Sequence, residues 1–312
     1  MHSALWWRDF EFQDGVVTVK KTGARLRVEP ELIGDVLAWF PFYFTVEAWR
    51  LTAWSRPEHR RGPRIWFTPD RPRPWYLVWS VLHAAGARIA DSPDGADAIF
   101  VFDDSTVGSP VPAQPGTPLL NVGCQSIAKG HVARVFEQVF GYPLSIDPES
   151  WHGPMVEKSE INGAHDGRIV DGPRPARHGH VYQRLIDNRT DDGLVEDLRC
   201  PTVGGRIPLV MRKRRRTEQR FENTNHQVAL AETGDVFTAD ELARLTRFMQ
   251  AMRLDWGGLD VLRDRRDGRI YVVDVNKTDM GPPIAMKLQD KIAVTRRMAD
   301  AFLDLIQPHS VS

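Results

Sequence analysis

Apolar positions along this chain change period several times, and each change marks an element. Val132, Val135, Phe136, Val139 and Phe140 recur at steps of three and four, which predicts an amphipathic helix from near Ser126 to just before Gly141. Leu242, Leu245, Phe248, Met249 and Met252 repeat that period behind Thr238 and Glu241, the two residues of a capping box. Further helices are expected at 75–85 and 287–306. Shorter apolar runs at 64–68, 96–102, 118–122, 154–158, 181–186, 195–203, 206–212, 256–262 and 270–276 read as strands, with Gly204-Gly205 as a two-residue hairpin turn. Early strands alternate with helices and imply a small covered sheet, whereas later ones follow each other directly. The class is therefore α+β.

The most apolar run, Val36 to Val46, is about half a membrane span, contains Pro41 and lies between Asp35 and Glu47. It is expected in a core or an oligomer interface. Trp6, Trp7, Trp39, Trp49, Trp54 and Trp66 crowd the same region, as core aromatics or as an interaction surface. Ser55 to Pro63, polar with two prolines, reads as a linker. A chain of 312 residues suggests two domains at about 150 residues each. Forty-one Lys plus Arg balance 41 Asp plus Glu, so no overall field draws the chain to nucleic acid or a membrane surface. Two cysteines, Cys124 and Cys200, provide no disulfide framework, and a reduced, cytoplasmic setting is the simplest reading.

Chemistry concentrates in three segments. In GGLDVLRDRRDGRIYVVDVNKTD, a loop centred on Asp267 places Asp260 opposite Asp274, about 5 Å apart at Cβ. Strand alternation puts Asp274 and Asn276 on one face with Ile270 and Val272. Two carboxylates and an amide oxygen suit a hard divalent ion such as nucleotide-bound magnesium; the alternative is a solvated hairpin with scattered acids. In VEDLRCPTVGGRIPLVMR, a turn centred between the glycines pairs Asp197 with Arg212, and Arg199 shares their face. That face reads equally as an anion site or as a cross-strand salt bridge. Lys158, ahead of a loop with Gly163 and Gly167, fits a phosphate cover or an ordinary hairpin turn. Arg212 to Arg216 reads as one or two substrate-facing arginines among solvated ones, His165 as a surface histidine, and the cysteines as structural.

Together these segments resemble the ATP-grasp superfamily over about Arg64 to Asp290. The resemblance implies an ATP-grasp fold with a Trp-rich extension (1–62), a small α/β pre-grasp domain (63–125), a mobile lid (126–186) and an antiparallel-sheet core (187–312). Asp260, Asp274 and Asn276 match its magnesium ligands in a D…(E/D)xN pattern, with Asp274 replacing the commoner glutamate. Lys129 and Lys158 match the two phosphate-contacting lysines, and Gly163 lies in the lid loop. VYQRLID resembles the adenine hinge, with Gln183 beside the base and the backbone of Arg184 and Leu185 bonding it. Asp197 takes the ribose position. Arg199, Arg212, Asn223 and Asn225 resemble the DxR…R…FxxN elements of the branch with glutathione synthetases and ribosomal-protein glutamate ligases. The implied activity is ATP- and magnesium-dependent ligation of a small-molecule or peptide carboxylate to an amine through an acylphosphate. Two magnesium ions, with manganese as a substitute, would assist, and Arg212 and Arg199 would be catalytic. The alternatives are a small-molecule kinase or a non-catalytic nucleotide-binding scaffold. Expected partners are substrates only, with no nucleic acid and no membrane, and self-association through the aromatic N-terminal segment.

Overall fold

The computed structural model describes residues 6–20, 25–55, 62–108, 111, 116–164, 166–221 and 227–306. Residues 56–61 of the expected linker lie outside them, as do His165, Asn223 and Asn225. After a 3-10 turn at Trp6–Asp9, strands β1 (Phe10–Gln13), β2 (Val16–Val19) and β3 (Arg25–Arg27) form an antiparallel sheet in sequence order. Helix α1 (Pro30–Ser55) contains the whole Val36 to Val46 run, Pro41 included. Its Phe42 and Val46 are buried against Trp79. Trp6 meets Trp39, Tyr43 and Trp75 edge to face, so these tryptophans are packed against each other.

The alternating segment forms a parallel sheet, β5-β4-β6-β7, from β4 (Arg64–Pro69), β5 (Arg88–Ile89), β6 (Ala98–Phe102) and β7 (Leu119–Leu120), with α2 (Leu77–Ala84) after β4. Next come α3 (Lys129–Phe140) and an antiparallel sheet, β10-β8-β9, of β8 (Gly153–Ser159), β9 (Arg168–Gly172) and β10 (His180–Arg184). The last sheet has order β13-β12-β11-β14-β15. Its strands are β11 (Val195–Val203), β12 (Val210–Arg215), β13 (Gln227–Ala231), β14 (Trp256–Arg263) and β15 (Ile270–Asn276). Helices α4 (Thr233–Val236) and α5 (Ala239–Met252) precede β14, and α6 (Leu288–Ile306) closes the described chain. The Thr238–Glu241 capping box makes both of its hydrogen bonds at the start of α5.

One face of the five-stranded sheet is apolar: Leu198, Cys200, Leu259, Val261 and Val275 pack with Phe136 of α3 and Phe248 of α5. The other face is divided. Val203, Met211 and Trp256 form a second core with Phe100 and Phe302, which joins the parallel sheet and α6. Beyond that core the same face carries Asp197, Arg199, Asp260 and Asp274. Asn121 ties the two sheets together, its side-chain oxygen accepting from the Asp255 and Trp256 amides at 2.9 Å.

Two registers differ from expectation. The Gly204-Gly205 turn is present, with φ of +55° and +75° at its two residues and Val203 paired with Arg206. Pro208 then supplies no amide to a ladder, β12 starts only at Val210, and the pairing has moved by one residue. Asp197 faces Lys213, while Arg212 faces Leu198. A one-residue slip turns every side chain to the other face, so Arg212 does not share the face of Asp197 and Arg199. In the last hairpin Asp260 does pair with Asp274, but a β-bulge follows and Val261 pairs with Val272. The extra residue, Val273, reverses the alternation. Ile270 and Val272 therefore join the core, and Asp274 and Asn276 point away from them.

Candidate functional site

Adjacent strands bring Arg199 against Asp260 and Asp260 against Asp274, forming a charged row across β11, β14 and β15. The Arg199 guanidinium donates to Asp260 Oδ2 at 2.9 Å and to Asp279 Oδ1, and its residue is only 8% exposed. Asp279 is wholly buried. It stands beyond Asn276 in a loop held by the Leu77 amide, which donates to the Asp279 carbonyl at 2.9 Å. Gly258 makes room for the pair: a Cβ there would lie 2.6 Å from Asp279 Oδ2 and 3.0 Å from Arg199 Cζ.

The carboxylates respond to their surroundings in opposite directions. Burial opposes ionisation of Asp260, but Arg199 and Lys213 outweigh it and hold the carboxyl at about 2. Burial prevails at Asp274 and raises it against the pull of Lys158. Asp279 is likewise raised by burial despite Arg199. Burial pushes the Lys158 ammonium down to about 8, with Asp274 pulling the other way.

A cation would find oxygen here. Asp260 Oδ1 and Asp274 Oδ1 are buried and accept no hydrogen bond, an expensive condition for carboxylate oxygens with nothing bound. Asn276 Oδ1 accepts from the Thr278 amide at 2.9 Å. Among the described residues no three His, Cys, Asp or Glu side chains gather into a metal cage. The set is a carboxylate pair plus an amide, which fits a hard divalent ion that keeps water or phosphate oxygens as its remaining ligands.

Elements around this row bring further cations. Lys158, on β8, donates to the carbonyl of the bulged Val273 at 2.9 Å. Lys129, the first residue of α3, donates to the Ile161 carbonyl at 2.8 Å. The loop after β8 is thereby drawn onto the rest of the molecule: Glu160 Oε2 accepts from the Gly130 amide at 2.9 Å, and the Asn162 amide donates to Thr106 Oγ1 at 2.8 Å. Gly163, at φ +71°, turns this loop and has open space at its Cβ position.

The remaining expected residues are placed unequally. Gln183 is buried, and its Nε2 has no hydrogen-bond partner. The Arg184 amide donates to the Leu144 carbonyl at 2.9 Å, and the Leu185 carbonyl accepts from Arg266 at 3.1 Å, so both backbone groups already have partners. Asp197 accepts from Arg215 at 2.8 Å and Asn188 at 3.0 Å. Arg212 is not on the Asp260 face of the sheet; on the opposite face it donates to Glu196 at 2.8 Å, beside Arg214 and a cavity of about 610 Å³. The basic run alternates accordingly, with Lys213 and Arg215 on the Arg199 face. Both cysteines are buried, and burial pushes the Cys124 thiol up to about 11, which suits structural thiols.

Sequence reasoning missed Asp279, Lys213, Arg215 and Glu160. Gly257-Gly258 beside Asp260 was the available sign of a close approach. No described helix is long and apolar enough to cross a membrane.

No family model and no curated protein matches the sequence. Solved structures do resemble it. The ATP-grasp ligase PsnB complexed with minimal precursor, Mg and ADP is 14% identical over 78% of this chain and 97% of that chain, at a TM-score of 0.53. PsnB complexed with precursor peptide PsnA2 and AMPPNP is 13% identical over 79% of this chain and 97% of that chain, at a TM-score of 0.52. At such identities the likeness is one of fold.

Proposed function

On the ATP-grasp fold, which this chain has, we propose that the Asp260–Asp274 row is the nucleotide site of an ATP- and magnesium-dependent ligase joining a carboxylate to an amine. The observation that carries this reading is the pair of buried carboxylate oxygens, on Asp260 and Asp274, that accept no hydrogen bond beside Lys158. Magnesium, when bound, supplies charge neutralisation at the phosphate oxygens. Asp260, Asp274 and Asn276 hold it. Lys129 and Lys158 exchange their carbonyl partners for phosphate oxygens. Gln183 and the backbone of Arg184 and Leu185 border the base, with Asp197 beside the ribose.

The substrate carboxylate attacks the γ-phosphorus of ATP and expels ADP, giving an acylphosphate. The amine then adds to the acyl carbon, loses a proton and expels phosphate, leaving an amide. Arg199 is a positioning residue, clamped between Asp260 and Asp279, and Arg212 takes no part. Residues 126–186 act as the lid and 187–312 as the core, with 63–125 as the small α/β domain before them and 1–62 as an N-terminal extension. The substrates are a small-molecule or peptide carboxylate and an amine; the precursor peptide bound to PsnB is what brings a peptide into consideration.

The test is titration of the protein with magnesium and ATP, followed by ADP release across an acid and amine panel with hydroxylamine as a trap. Acylphosphate chemistry gives a hydroxamate, and Asp260→Asn or Asp274→Asn lowers ADP release at least ~100-fold. A phosphorylated product inert to hydroxylamine would make the protein a kinase. No binding of ATP with magnesium would end the proposal.

A further inference from the structure

Helix α1 has apolar residues on two opposite faces, and the described chain covers one. Trp39, Phe42, Tyr43, Val46 and Trp49 pack toward α2 and its surroundings. On the other side Ile33, Leu37, Phe44 and Leu51 are 48%, 63%, 62% and 60% exposed, and Phe40, stacked on Phe44, completes the row. Their spacing is four, three, four and seven, the a and d positions of a heptad seam. Helices that are apolar all round belong inside a structure.

We propose that this seam is the dimer interface between two copies of the chain, with the two α1 helices antiparallel and a two-fold axis at Phe44. Leu37 and Leu51 lie seven residues either side of Phe44, so antiparallel pairing about Phe44 sets Leu37 of each copy against Leu51 of the other. The same alignment sets Phe40 against Ala48, large against small, as interdigitating layers require. A parallel, in-register pair would instead oppose the two copies of Glu47, the one acid on the seam. Such a contact is self-complementary and closes at two copies.

Its size is sufficient. Side chains of this size present on the order of 200 Å² in full, so exposures of about one half or more leave on the order of 100 Å² at each of Ile33, Leu37, Phe44 and Leu51. These four on each of two copies supply roughly 800 Å², and the open parts of Phe40 and of Val36, which flanks the seam at 43% exposure, bring the total to roughly 1,000 Å², the lower bound for a specific interface. The contact lies on α1, apart from the Asp260–Asp274 row, so it stands or falls independently of the proposed activity.

The test combines sedimentation of the full chain with cysteine cross-linking. Wild type is expected at twice the 35.5 kDa chain mass, and Leu37→Glu with Phe44→Glu should weaken association at least ~30-fold. Cys124 and Cys200 are buried, so introduced thiols report alone. A mixture of Leu37→Cys and Leu51→Cys chains should cross-link under mild oxidant, while Leu37→Cys alone should not. Self-cross-linking of Leu37→Cys would refute the antiparallel arrangement. A monomer at every concentration would refute the dimer, as would a monomer that floats with anionic phospholipid vesicles, which would make the seam a membrane face.

Discussion

Replacing Arg199 with methionine keeps the volume of the side-chain stem and removes the guanidinium. Asp279, wholly buried, then has lost its hydrogen-bonded cation and keeps only the more distant pull of Lys213, whereas Asp260 keeps Lys213 at 3.7 Å. Breaking a buried pair from one side costs about 3–5 kcal/mol, because the remaining charge stays desolvated. For a cooperative unit of 312 residues, at about 2.1 cal/mol/K of unfolding entropy per residue, that is a fall in Tm of roughly 5–8 °C. Asp279 can relieve the cost by taking a proton, since burial already raises its pKa. An unfolded aspartate ionises at about 3.9. Between that value and the raised folded value the folded variant holds more protons than the unfolded chain, so its stability falls as pH rises, by up to about 1.4 kcal/mol per pH unit. Urea titrations followed by tryptophan fluorescence at pH 5 and pH 7 should therefore show a larger deficit at pH 7. Adding Asp279→Asn to Arg199→Met removes the stranded charge and should recover about 1–3 kcal/mol. A deficit under about 1 kcal/mol at pH 7, or no recovery in the double variant, would refute the reasoning.

Three further outcomes follow from the geometry. Lys213→Met should weaken binding of ATP with magnesium by calorimetry, while Arg212→Met, changed on the far face, should leave it within about twofold. Burial opposes ionisation of Glu157, but Arg168 and Tyr182 lower its pKa. Its contribution is thus complete above the unfolded value of about 4.3 and is lost as pH falls through the lower folded value; proteolysis of the β8-β9-β10 sheet should accelerate there in wild type and not in Glu157→Gln. Trp256→Ala, at a fully buried side chain joining two sheets, should cost about 3–5 kcal/mol in urea unfolding.

The sequence disclosed most where local rules govern. The last hairpin was legible because its loop centre sets the Asp260–Asp274 pairing, and the α5 cap because both partners lie within three residues. The Arg212 assignment failed at Pro208, where one unpaired residue changes the face of everything after it. Asp279 was invisible because its partner Arg199 lies eighty residues away. Glu160 was overlooked because its meaning comes from Gly130, on another element.

The contacts of the loop after β8 also have a kinetic consequence. Lys129 with Ile161, Glu160 with Gly130, and Asn162 with Thr106 tie one loop to two other elements. Releasing three hydrogen bonds together, at about 1 kcal/mol each, leaves the loop open on the order of one time in a hundred. Any molecule that enters only through the open state loses about that factor in apparent affinity. The loop's self-attachment, as much as the charged row itself, then sets the concentration at which the site fills, and hydrogen exchange at the Gly130 and Asn162 amides would time the opening directly.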